Sequence, residues 1–202
     1  QGTRADLAAA VRRFQAAIGR DPRYAMAHVG LAEASGHRFA YHDCHCRQHL
    51  DLARRAATEA VSLAPELAEA HAVRGFVHLL DWQWPQAAAS LDRALELYPR
   101  LAVAHHYRAH YLQAMGRLEA ARHAQERSTE VDPASNFAHG WLALFRLRSG
   151  RLREARDVPE LPPDQTLSLP LARIIAGQSH VLEGDRAAGI ALLERARQDS
   201  PD

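Results

Sequence analysis

The chain has 202 residues, 47% of them hydrophobic and 24% charged, which is enough for a substantial core. A net charge of +1 supplies no general attraction to nucleic acid or to an anionic membrane, and no apolar run approaches the ~20 residues of a membrane span. All 25 basic residues are arginine, alanine is abundant and β-branched residues are few, so the composition points to an all-α fold.

Residues 4–19 read as one amphipathic helix, with Leu7, Ala10, Val11, Phe14, Ala17 and Ile18 on one stripe. Asp21-Pro22 ends it, because the residue before a proline resists helical dihedrals. A second unit starts near Arg23 and ends at Pro65, and two shorter ones end at Pro99 and Pro133. Pro65, Pro99 and Pro133 lie 34 residues apart, and the segments between them pattern as helix–turn–helix, which is the signature of a repeat solenoid. Pro85 sits where proline is tolerated at a helix start, and Gly116 punctuates the next inter-helix turn.

The fifth unit begins at Ala134. Its second helix starts at Arg151 but breaks at Val158-Pro159, and a loop is expected from about Asp157 to Ser168. A last helix pair follows, opened by Ser168 as an N-cap and closed by Pro201. Thus 1–202 is expected to be one array: a half repeat 4–22, a repeat 23–65 with an insertion at 37–49, repeats 66–99 and 100–133, a repeat 134–169 with a broken second helix, and a repeat 170–201. About eleven helices in five to six repeats are expected. A solenoid rarely opens on half a unit, which implies sequence upstream.

Small residues recur at fixed places in this period. One set is Ala32, Gly75, Ala109, Ala143 and Gly177; a second is Ala53, Ala87, Ala121, Ala155 and Gly189; a third is Ala17, Ala60, Ala94, Ser128 and Ala196. On these residues the chain resembles the tetratricopeptide repeat (TPR) family over nearly its whole length. The resemblance implies a right-handed helical solenoid in which small side chains let paired helices approach. Where that family favours Trp, this chain has His28, His71, His105 and His139, read as imidazoles that pack and hydrogen-bond between helices. The style of the repeats is similar to TPR regions of bacterial winged-helix transcriptional regulators, adenylate cyclases and serine/threonine kinases, which implies a cytoplasmic regulatory or interaction module in signalling or transcription.

The resemblance also implies a concave groove lined by first helices. Projected onto this chain, its candidates are Glu33, Glu69, Phe76, His106, His110, Gln113, Phe137, Leu144, Arg148 and Gln178, together with Met26, Val29, Leu79, Val103 and Ile174. That mixture suits a protein or peptide partner, or another domain of the same polypeptide. The Lys/Asn clamp that some TPR co-chaperones use for acidic chain ends is absent at these positions.

The nine additional residues of the second unit hold the densest chemical cluster. His42, Cys44, His45, Cys46 and His49 combine nitrogen and sulfur donors, and on a helix His42, His45 and His49 share a face. A metal- or redox-sensing module is the alternative reading, against a polar inserted turn in which cysteine acts as a small hydrophobe. No CxxC is present, and two cysteines two apart on a helix point to different sides, so a reducing setting is expected. Arg146, Arg148, Arg151, Arg153 and Arg156 read as helix-end and surface charges before they read as an anion site. No G-x-S-x-G, P-loop, dinucleotide fingerprint or HExxH is present. The expectation is a non-enzymatic scaffold with no cofactor and no nucleic acid; a third alternative is an accessory subunit presenting substrate to a partner enzyme.

Overall fold

The computed structural model describes residues 4–42, 46–156 and 168–199. Ten α-helices are present among them: α1 Arg4–Arg20, α2 Ala25–His37, α3 Arg47–Leu63, α4 Ala68–Leu80, α5 Trp84–Leu97, α6 Ala102–Ala114, α7 Leu118–Val131, α8 Asn136–Arg148, α9 Ser168–Leu182 and α10 Arg186–Asp199. They group into two compact units, Gly2–Tyr111 and Leu112–Asp202.

Among the described residues the expected second helix of the fifth unit is a single 3-10 turn, Glu154–Arg156, and ten α-helices stand where about eleven are expected in the whole chain. The expected loop at 157–168 lies, apart from Ser168, outside the described residues. The inserted residues lengthen two elements. A π-helical turn, Arg38–His42, continues directly from α2, and α3 runs for 17 residues where α5 and α7 run for 14.

Four first helices, α2, α4, α6 and α8, are entered through a proline turn. The amide N–H of Tyr24, Leu67, Leu101 and Ser135 donates to the carbonyl of Asp21, Ala64, Tyr98 and Asp132, at 3.0 to 3.2 Å. Pro22, Pro65, Pro99 and Pro133 therefore occupy the second position of a four-residue turn, where their fixed φ is already suitable. The imidazole six residues on then donates to the proline carbonyl. His28 Nε2 reaches Pro22 O at 3.0 Å, His71 reaches Pro65 at 2.7 Å, His105 reaches Pro99 at 2.9 Å and His139 reaches Pro133 at 3.0 Å.

Within a unit, the two helices are joined by a tight C-terminal turn of one type. Gln83, Arg117, Arg151 and Asp185 each donate an N–H to the carbonyl five residues back, at 2.9 Å. That six-to-one bond defines the Schellman motif, whose preceding residue must adopt a left-handed backbone. Gly116, Gly150 and Gly184 supply it with φ of 74°, 79° and 93°. The α4–α5 turn has Trp82 at φ 59° in the same place.

The cores follow the small-residue pattern. In the first unit Val11, Val29, Leu31, Leu50, Val73 and Val77 form one apolar cluster and Phe76, Leu91, Ala94, Ala104 and Tyr107 another. In the second, Ala143, Ala155 and Ile175 pack with Leu144 and Leu147. The first two sets of recurrent small positions are buried throughout; of the third set, only Ala17 is partly exposed. α9 and α10 approach closely through backbone: a Cβ built on Gly189 would stand 2.8 Å from the Gly177 carbonyl oxygen and 2.5 Å from Val181 Cγ2. Backbone cannot yield there as a flexible side chain can. Gly189→Ala is expected to cost about 1–3 kcal/mol in urea unfolding; a variant as stable as the parent would show that α9 and α10 do not pack this closely.

Candidate functional site

Among the projected groove residues of the first unit, five have polar or aromatic side chains. Glu33 stands on α2, Glu69 and Phe76 on α4, and His106 and His110 on α6. The period puts Glu33, Phe76 and His110 at equivalent places on successive first helices. The structure closes this surface upon itself. Tyr107 Oη donates to Glu33 Oε1 at 2.9 Å, linking α2 to α6 past the intervening α4. The Tyr107 ring stacks on Phe76 at 4.6 Å, and Phe76 meets His37 edge-on at 5.0 Å. His106 in turn lies against Tyr107 and, at 4.6 Å, against His110. Phe76 and His106 each retain 7% exposure and Tyr107 3%, so they are core residues of this unit in this structure. Glu69 and His110 are half-buried.

The second unit presents its projected residues differently. Phe137 is 49% exposed, Arg148 and Gln178 are exposed, and Leu144 is half-buried. On α8 the spacing of Phe137, Trp141, Leu144 and Arg148 places all four along one face. Phe137 and Trp141 meet edge-to-face at 6.1 Å. Leu144 packs against the cluster that contains Ile175, which brings this face beside α9, where Ile174, Gln178 and Val181 are exposed at helical spacing. Gln113, at the end of α6, is half-buried, and its Oε1 has no hydrogen-bond partner among the described residues.

The arginine run is largely committed to local partners. Arg146 donates to the Glu154 carbonyl at 3.0 Å, and Arg151 pairs with Glu154 at 2.9 Å and with Glu119 at 3.6 Å. Arg153 and Arg156 both pair with Glu183. The hydrogen bond from Arg151 holds the Glu154 carboxyl below the usual range, and that from Arg122 does the same for Glu119. Arg148 stands apart: no carboxylate pairs with it among the described residues.

Of the His/Cys insertion, Cys44 and His45 lie outside the described residues, as does the side chain of His42. Cys46 is the half-buried residue preceding α3, and His49 lies in the first turn of that helix. Among the described residues no group of three or more His, Cys, Asp or Glu is placed to hold a metal ion. No described helix is long and apolar enough to cross a membrane.

No family model matches the sequence, and no curated protein does. Solved structures do match the fold. That of YrrB, "a TPR protein with an unusual peptide-binding site", is 18% identical, with 94% of this chain and 93% of that chain covered at a TM-score of 0.60. TTC0263, a thermophilic TPR protein in Thermus thermophilus, is 17% identical over 96% of this chain and 90% of its own, with a TM-score of 0.64. PilW, a type IV pilus biogenesis factor, is 20% identical over 96% and 86%, with a TM-score of 0.69. The fold is thus an all-α helical solenoid of the TPR type.

One charged network stiffens the α4–α5 turn. His78 Nδ1 donates to Gln83 Oε1 at 2.8 Å, Gln83 Nε2 donates to Asp81 Oδ2 at 2.7 Å, and Arg54 pairs with Asp81 Oδ1 at 2.9 Å. Burial pushes the His78 pKa down, more than the Gln83 hydrogen bond raises it; Arg74 and Arg54 also lower it and Asp81 raises it. The folded chain therefore binds a proton at His78 less readily than the unfolded chain. Its contribution to stability is complete above the unfolded value of about 6.5 and is lost as pH falls through the lower folded value. Urea unfolding at pH 7.5 and 5.5 is expected to show a larger loss in the parent than in His78→Asn, which keeps a side-chain donor but does not titrate. Equal losses would remove His78 from the pH response.

Proposed function

We propose that the chain is a non-catalytic protein-interaction scaffold that receives a peptide or helical segment of a protein partner on the exposed face of α8 and α9. The observation that carries this reading is the contrast between the first-helix faces of the two units. In the first unit Phe76 is buried beneath Tyr107 and Glu33 accepts the tyrosine hydroxyl. In the second, Phe137, Arg148, Ile174 and Gln178 are open to solvent on adjacent helices. Aromatic and aliphatic anchors beside a single unpaired guanidinium suit an amphipathic segment that carries a carboxylate at one end. YrrB, with its peptide-binding site, supplies a precedent on this fold. The repeat style, similar to TPR regions of bacterial regulators, supports a role as the interaction region of a larger signalling or transcription-regulating protein.

The test is quantitative co-purification followed by titration of each recovered partner. Phe137→Ala and Arg148→Glu are each expected to weaken a specific partner about tenfold or more, whereas Arg12→Glu, an exposed change on α1, leaves it unchanged. Partners recovered equally well by all four proteins would place the docking surface elsewhere.

A further inference from the structure

Tyr107 makes one contact that the repeat itself does not require. Its hydroxyl donates to Glu33 Oε1 at 2.9 Å, which ties α6 to α2 across α4. One period on, the residues equivalent to Tyr107 and Glu33 are Trp141 and Phe76, a pair without a carboxylate, so this tie has no counterpart there. The proline–histidine junctions recur all the same at Pro65–His71, Pro99–His105 and Pro133–His139. The tie is therefore added to the solenoid frame and is not a condition of it.

The same point gathers the aromatic contacts of the first unit. The Tyr107 ring covers Phe76 in a stacked arrangement, 4.6 Å between centroids and 10° between planes. Phe76 itself lies against α2 at Gly36, where an added Cβ would stand 2.6 Å from its Cε1. His106 rests on the Tyr107 ring at 5.6 Å. Closing Tyr107 onto Glu33 thus shields Phe76 and His106 together, and both are buried.

The polar end of this contact makes it reversible. A permanent core contact at position 33 calls for an apolar side chain, whereas Glu33 brings a half-buried carboxylate that water hydrates strongly once the tyrosine leaves. Ring burial favours the closed arrangement and carboxylate hydration opposes it, with the hydroxyl bond setting the balance. A hydrogen bond to a charged acceptor shifts an open–closed equilibrium about ten- to hundredfold. That range leaves the minor state of a two-state element populated at about 1–10%.

We propose that Tyr107, Phe76 and Glu33 form a releasable latch that holds the face of α2, α4 and α6 shut. Closed, it denies Phe76 and His106 to a partner; open, it presents both. The inference stands independently of the reading of α8 and α9.

The test is hydroxyl-radical footprinting of the full chain at neutral pH, with side-chain oxidation read by mass spectrometry. Tyr107→Phe keeps the ring and removes only the hydroxyl, and Glu33→Ala removes the acceptor. In each variant Phe76 is expected to oxidise about fivefold faster or more than in the parent. The double variant is expected to go no further than either single one, because both changes release the same bond. Leu50, buried in the other apolar cluster of this unit, is expected to keep its parental rate in all three variants. Phe76 oxidation unchanged in both single variants, a parallel rise at Leu50, or additive effects in the double variant would each overturn the proposal.

Discussion

The interaction on which the described repeats depend is the hydrogen bond from an imidazole Nε2–H to the carbonyl of a proline six residues earlier. It recurs at His28, His71, His105 and His139 with nearly one geometry. The proline ends one unit and the histidine lies in the first helix of the next, so each bond fixes how a first helix leaves the turn before it. At His71 the partners also select the ring's tautomer. The Pro65 carbonyl can only accept, so Nε2 carries the proton, and Arg74 Nη2 can only donate, at 3.2 Å, so Nδ1 offers its lone pair. Arg74 is tied on its other side to Ser90 Oγ at 3.2 Å, and burial lowers its pKa. One junction thus joins the proline turn, α4 and α5.

The following period lacks both members of this pair. Residue 167 is Leu and residue 173 is Arg, where proline and histidine stand in the four earlier junctions. In this unit the second helix is represented, among the described residues, by the turn Glu154–Arg156. The α8–α9 packing there rests instead on Leu144, Leu147, Ala155 and Ile175, with Ser179 Oγ donating to the Leu152 carbonyl.

Much of this architecture was legible in the sequence because it repeats. A spacing of 34 marks the prolines, the histidines and the small positions alike, and each of these has one physical role wherever it recurs. What was not legible are the features that occur once. The Tyr107–Glu33 bond joins residues 74 positions apart and skips a unit, so no comparison of neighbouring repeats shows it. As a result Phe76 and His106, which share a register with the exposed Gln178 and Ile174 of α9, are buried. Trp82 lies just ahead of the helix start read at Pro85, but its left-handed backbone emerges only when the six-to-one hydrogen bond aligns it with Gly116, Gly150 and Gly184. The cluster of His42, Cys44 and His45 breaks the period, and periodicity carries no information where it is broken. Repetition therefore specifies the frame, and the irregular residues distinguish the surfaces open to a partner from those closed by the chain itself.

The most direct measurement of the histidine bond's importance is the unfolding free energy of His71 variants in urea. His71→Leu leaves the Pro65 carbonyl without its donor and is expected to lose about 1–3 kcal/mol. His71→Gln, whose amide nitrogen can approach the position of Nε2, is expected to recover much of that loss. A leucine variant as stable as the parent, or a glutamine variant no better than leucine, would show that the imidazole contributes packing alone and that the account of the junction is wrong.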